Sequence, residues 1–177
     1  NLLSLQQLDH SAEEEAEAYI SEEKGVASAE EALQGAMDIV AEAIADEADY
    51  RTYIREKTMK KGTLTSTAKD EKAESVYEMY YNFEEPVAKL AGHRILALNR
   101  GEKEKILTVK LEAPEEEIIR YLEKKTIRRE NPYTTPYLKE AVADSYQRLI
   151  APAIEREIRN SLTEEAQEGA IRVFGNN

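Results

Sequence analysis

Cysteine is absent from the 177 residues. No disulfide and no thiolate zinc site can form, a usage that fits a reducing compartment. No apolar run approaches the ~20 residues of a membrane-spanning helix, and no signal-peptide pattern is present. Glycines are few, and Gly62, Gly92 and Gly101 stand isolated. There is no GxGxxG run and no Walker loop to cradle a phosphate, and no GxSxG elbow. The only two histidines, His10 and His93, lie in neither an HExxH nor a His–carboxylate helix spacing. Paired carboxylates among 36 acidic residues identify nothing. We therefore expect no enzyme, no metal and no cofactor.

Charge is abundant, with 34% of residues charged and a net charge of −12. That balance argues against nonspecific nucleic-acid binding by the chain as a whole, because phosphate affinity comes chiefly from Lys and Arg. Hydrophobic residues still reach 41%, so the expectation is a soluble folded chain rather than an acidic disordered one. The length suits one domain, and a chain of this size buries roughly 70% of its extended surface without staples. The chain starts without Met and closes on Gly175-Asn176-Asn177 after an apolar helix, which reads as a piece cut from a longer protein.

The segment His93–Leu111 organises the rest, because there a helical chain changes its local period. In one reading Gly92 caps a helix to about Lys103, with Ile95 and Leu98 facing the core, followed by a strand over 106–111. In the other, Ile95–Leu98 and Ile106–Leu111 form a hairpin turning at Asn99-Arg100-Gly101-Glu102. Arg100 interrupts the Asn-Gly pair that favours such turns, and we take helix then strand. His93 beside Arg94 is expected as a capping or buried hydrogen-bonding residue rather than a base. His93, Arg94, Asn99, Arg100 and Gly101 form a structural motif.

Elsewhere amphipathic helix dominates. Residues 1–8 read as the end of a helix begun upstream, and Asp9 or Ser11 caps a helix through about Glu23, ended by Gly25. Glutamates in its first turn suit the helix dipole and form a solvated face. Ser28 and Glu31 make a capping box. The helix they open runs to about Asp46, with Ala32, Ala36, Ile39, Val40 and Ala43 as a narrow packing face. Tyr50–Lys60 is helical with a basic end. Gly62 closes it, and Thr63–Thr67 is a loop or short edge strand, the candidate partner for 106–111. Glu71–Asn82 is expected as a helix with Val76, Met79, Tyr80 and Phe83 inward, and Pro86 starts a helical turn through Leu90. Tyrosines at this spacing usually form a packing face, with base stacking the minority reading.

Pro114 takes the first position of a helix to about Lys125, with Ile118, Ile119 and Leu122 inward. Lys124, Lys125, Arg128 and Arg129 form the densest basic cluster, beside Tyr121 and Tyr133. Here basic and aromatic residues interleave. Helix-end salt bridging is the first reading and a nucleic-acid contact the second. The two prolines of 131–136 make the clearest break and a candidate sub-boundary. Leu138, Val142, Tyr146, Leu149 and Ile150 form a stripe continued by Ile154, Ile158 and Leu162. Pro152 restarts the helix, and Thr163 caps a last one whose inward face is Ala166, Ala170, Val173 and Phe174. One kinked helix is the alternative. The fold class expected is all-α and multi-helical, with one or two short strands near 63–67 and 106–111.

Three separated runs carry a family resemblance: SAEEALQGAMDIVAEAIADEADYR (Ser28–Arg51), HRILALNRGEKEKIL (His93–Leu107) and AVADSYQRLIAPAIEREIRNSLTEEAQEGAIRVFGNN (Ala141–Asn177). In this order they resemble the Tex family of bacterial transcription accessory proteins, and the likeness covers the chain from about Ser11. It implies a large cytoplasmic protein with a helical N-terminal region, an RNase-H-like domain, helix-hairpin-helix domains and a C-terminal RNA-binding barrel of the ribosomal-protein S-one type. Residues 1–177 would be the helical N-terminal part, ending just before the RNase-H-like domain. The family is related to a eukaryotic elongation factor that binds histones and polymerase. Its principal nucleic-acid surface and its catalytic motifs lie outside this chain. The resemblance therefore implies a scaffold that positions nucleic-acid-binding domains and contacts RNA polymerase, with nucleic acid and the other domains of the same chain as partners and no membrane. The alternative is a nucleic-acid or protein-partner binding module using the cluster 124–129, with Tyr121 or Tyr133 stacking. A hydrolase would need a metal cluster among the glutamates.

Overall fold

The computed structural model describes residue 6, residues 11–17 and residues 28–175. Two compact units divide the chain, Asn1–Thr52 with Glu116–Pro152, and Tyr53–Glu115 with Ala153–Asn177. Expectations for residues 1–5, for Asp9, His10 and the helix end near Glu23 and Gly25, and for the side chains of Ala170, Val173 and Phe174 lie outside the described residues.

The first unit is helical. Helix α1 is Ala12–Glu17, and Ser11 is its cap, accepting from the Glu14 N–H at 3.1 Å. Helix α2 is Ala29–Asp46, capped by the Ser28 hydroxyl, which accepts from the Glu31 N–H. Its buried face is Met37, Ala41 and Ile44, and the expected face is met only in part: Ala36 and Val40 pack partly buried against this core, while Ile39 is 70% exposed and Ala43 is also exposed. The difference is a rotation by about one residue, since a 37/41/44 series follows the helical repeat as well as a series through Ala36, Ile39 and Ala43 does. Met37 packs with Leu138 and Ala141, and Ala36, Val40, Ile127 and Tyr137 surround that cluster. The Ser145 hydroxyl donates to the Ala41 carbonyl at 2.6 Å, deep in the unit.

Helix α3 is Ala48–Lys61 and leads into the second unit. There β1, Thr63–Ala68, pairs antiparallel with β2, Asn82–Pro86, and with β3, Leu107–Glu112, in the order β2-β1-β3. The pairing of 63–67 with the later strand is as expected, with Thr63 opposite Glu112 and Leu64 opposite Leu111. Two expectations fail. Thr63–Thr67 is the central strand rather than an edge. The residues 71–82 are not a helix but turns and a short 3-10 segment, Glu78–Tyr80, before β2. The chain is thus mostly helical with a three-stranded sheet, not strictly all-α.

The lost helix has a local cause. The Asp70 carboxylate accepts from the Lys72 N–H, the Ser75 hydroxyl accepts from the Tyr77 N–H, and the Tyr81 hydroxyl donates to the Ala73 carbonyl. Side chains that satisfy nearby backbone compete with helix. Tyr77 and Tyr80 are buried, while Val76 is 85% and Met79 67% exposed, the reverse of the expected inward set for these two. Pro86 ends an edge strand, where its missing N–H is tolerated, and a 3-10 turn Val87–Lys89 follows.

Helix α4, Gly92–Lys103, and β3 realise the helix-then-strand reading. Ile95 and Leu98 are buried as expected. The helix stops in a Schellman motif: the Ile106 N–H reaches the Gly101 carbonyl at 2.9 Å and the Lys105 N–H reaches the Glu102 carbonyl at 3.0 Å. Lys105 takes φ 63°, where glycine is usual. Helix α5 is Glu115–Thr126, one residue beyond Pro114, with Ile118 and Leu122 buried.

Helix α6, Thr135–Asp144, is followed by a π-helical turn, Ser145–Ile150, and by α7, Ala151–Gly175. No separate helix starts at Thr163, so the single helical run is the better description. Pro152 explains the π turn. It offers no N–H to the Arg148 carbonyl and its ring would crowd that group, so the helix widens one residue earlier, where the Ala151 N–H bonds the Tyr146 carbonyl. Ile154, Ile158, Leu162 and Ala166 form one buried stripe of α7.

Candidate nucleic-acid interface

The basic cluster sits where α5 ends. Lys124 and Lys125 occupy its last turn, and Arg128 and Arg129 follow it; all four are exposed. A residue the sequence did not single out holds this turn. Gln6, 6% exposed, accepts through Oε1 from the Arg128 N–H at 3.0 Å and the Arg129 N–H at 2.9 Å, and donates through Nε2 to the Thr126 carbonyl at 2.7 Å. One amide thus satisfies two donors and an acceptor of a helix end that has no intrahelical partners for its last carbonyls. Asn131 extends the frame: its Nδ2 donates to the Gln6 carbonyl, its Oδ1 accepts from the Tyr133 N–H at 2.7 Å, and its own N–H donates to Thr135 Oγ1 at 2.9 Å.

The two tyrosines differ in availability. Tyr121 is half-buried, meets the Tyr50 ring edge-on at 6.0 Å, and has the Lys125 ammonium 5.7 Å from its centroid. Tyr133 is 37% exposed. Within the cluster the structure therefore brings Lys125 to Tyr121, ties Arg128 and Arg129 to one frame, and leaves Tyr133 presented beside Asn131.

The residues of the central motif serve a different end, in the second unit. Arg159 on α7 donates to Asn99 Oδ1 and to Glu102, each at 2.9 Å, and Asn99 Nδ2 donates to Thr163 Oγ1 at 2.8 Å. Thr163 in turn donates to the Arg159 carbonyl, so its hydroxyl is engaged within α7 and does not cap. Glu155 accepts from the Leu111 N–H of β3. Arg94 pairs with Glu85 at 3.2 Å and lies 5.5 Å from the Phe83 ring centroid. Gly101 is buried, and a Cβ there would stand 2.4 Å from Leu107 Cδ1, so the close approach of Leu107 requires glycine. His93 is exposed, and Ala91 rather than His93 is the N-cap, so the expected buried or capping role is not found. Arg100 is exposed. It lowers the pKa of Tyr77, but burial and the hydrogen bond to Glu104 outweigh it and hold that phenol above its ordinary value. Arg159 and Thr163 sit four apart and Asn99 and Glu102 three apart, the spacings that share a helix face; nothing in the sequence said that the two faces meet.

Among the described residues no group of three or more His, Asp or Glu is placed to hold a metal ion, and no helix is long and apolar enough to cross a membrane. What the geometry defines, among the described residues, is a mostly helical chain with an exposed basic turn at the end of α5 and polar clusters that bond its own elements together. The Tex central region-like family model matches residues 7–174, and the chain belongs to that family. It is 51% identical to the Bacillus subtilis protein YdcI over 179 residues, covering 99% of this chain and 25% of that protein. It is 30% identical to protein Tex of Bordetella pertussis, covering 90% of this chain and 22% of that protein. It is 29% identical to the human S1 RNA-binding domain-containing protein 1, covering 87% of this chain and 17% of that protein. The chain thus spans about a quarter or less of these curated relatives.

Proposed function

We propose that this chain is the helical framework of a Tex-like, cytoplasmic transcription accessory protein, one that positions nucleic-acid-binding parts lying elsewhere in the longer polypeptide. The observation that carries the reading is the Arg159 cluster, whose charged and amide groups bond to one another across α4 and α7 rather than facing an open site. The name of the human relative, which specifies an S1 RNA-binding domain, supports nucleic acid as the partner of the whole protein, and the name of a Neisseria gonorrhoeae relative, transcriptional accessory protein Tex, supports RNA polymerase as another. We assign the chain no catalytic step and no cofactor.

The test compares this chain with the longer protein that contains it, by anisotropy of labelled single-stranded RNA and duplex DNA at near-physiological salt. The framework reading expects the longer protein to bind at least about a hundredfold more tightly, a difference of about 2.7 kcal/mol. Equal affinities would refute it.

A further inference from the structure

We propose that the basic turn at the end of α5 is a contact site for single-stranded nucleic acid, with Lys124, Arg128 and Arg129 on the phosphates and Tyr133 stacked on one base. This goes beyond the framework reading, which concerns where the principal affinity resides.

Three observations point to it. First, the cations are available. Arg94, Arg148 and Arg159 each pair with a carboxylate. Among the described residues, Lys124, Arg128 and Arg129 make no such pair, in a chain where 36 acidic residues outnumber 24 basic ones. Exposed and outside any such pair, these groups keep their N–H donors available to the phosphates of another molecule.

Second, the turn is already ordered. Gln6 fixes the N–H groups of Arg128 and Arg129, and Asn131 fixes that of Tyr133. A ligand therefore need order only side-chain ends, which lowers the entropic cost of binding.

Third, the aromatic roles separate. Tyr121 already holds Lys125 over its ring and meets the Tyr50 ring edge-on, so it supports Lys125 rather than stacking a base. Tyr133 has its ring partly in solvent and its backbone tied. A basic track beside one free aromatic ring suits a strand whose bases are unstacked, because every base offers a π-face and a duplex keeps its own bases stacked. Phosphate contacts and base stacking are common to RNA and DNA single strands, which therefore share the chemistry.

The experiment is anisotropy of labelled oligouridine, oligothymidine and a duplex of equal length with this chain, titrated from low to near-physiological salt. Saturable single-strand binding at low salt, tighter than duplex binding, is expected; binding of oligouridine alone would identify RNA as the source of the strand. Arg128→Gln and Arg129→Gln should each weaken binding and reduce the log–log salt slope by about 0.7. Tyr133→Ala should weaken it roughly tenfold with the slope unchanged, and Tyr133→Phe should restore it. Lys103→Gln, an equal charge change at an exposed site of α4, should leave binding as it is. Circular dichroism melts confirm that each variant folds. The proposal is overturned by no binding at low salt, by duplex binding as tight as single-strand binding, by an equal loss in Lys103→Gln, or by an unchanged Tyr133→Ala. Each of these is separable from the framework test, which is read at near-physiological salt against the longer protein.

Discussion

Substituting Gly101 tests the contact on which α4 and β3 meet. A Cβ at that position would lie 2.4 Å from Leu107 Cδ1, 2.8 Å from its Cγ and 3.4 Å from Tyr77 Cδ1. Leu107 is 0% exposed, and cores are packed closely enough that such a side chain seldom has room to move aside. Overpacking of this kind costs about 1–3 kcal/mol. Alanine in a helix interior recovers about 1 kcal/mol over glycine, so Gly101→Ala should lose about 1 kcal/mol net. Leu107→Ala alone should cost about 2–5 kcal/mol through lost burial and the cavity left behind. In that background the clashing atoms are gone, and the same Gly101→Ala change should stabilise by about 1 kcal/mol. The coupling between the two sites is then about 2 kcal/mol, with a reversal of sign. Urea unfolding followed by far-ultraviolet circular dichroism measures it, read as a midpoint shift at constant slope. If Gly101→Ala shifts the midpoint by the same amount and direction in both backgrounds, the glycine is not there for the close approach and the reasoning fails.

Other consequences are as direct. Lys105 holds a left-handed conformation, so Lys105→Gly should raise stability by about 0.5–1 kcal/mol in a thermal melt, the relieved strain less the added freedom of the unfolded chain. Arg159→Ala leaves Asn99 and Glu102 without their shared donor and should cost about 2 kcal/mol; Arg159→Lys should not restore it, because an ammonium lacks the planar fork. Tyr77 is held above its ordinary value of 10.0, first by burial and then by its bond to Glu104. The unfolded phenol ionises first, so wild-type stability should fall as pH rises from 10.0 through the raised folded value, and Tyr77→Phe should lack that part of the alkaline loss in melts across this range. Asp144 is held below 3.8, chiefly by its hydrogen bond with Arg148. Its contribution is present above 3.8 and disappears as pH falls through the lower folded value, and Asp144→Asn should flatten that acid limb.

Local chemistry determined much of the chain. The Ser28 cap, the α4-to-β3 change of period, the 118/122 face of α5 and the break at the two prolines of 131–136 were legible because each depends on residues within a turn or two of one another. Other features needed the tertiary structure. The face of α2 turned by about one residue because two apolar series of nearly equal quality compete, and only Leu138 and Ala141 across from Met37 choose between them. β2 carries two adjacent glutamates and a proline, and alone it has no strand signal; it is a strand because β1 offers it a ladder. Residues 71–82 carry a helical pattern, yet Tyr77 and Tyr80 are anchored in the interior while Asp70 and Ser75 take the backbone donors a helix would use. Gln6 shows the limit most plainly. Its partners lie more than a hundred residues along the chain. Sequence periodicity reports which face of an element is apolar; which faces meet, and which amide reaches which distant turn, is fixed only when the whole chain packs.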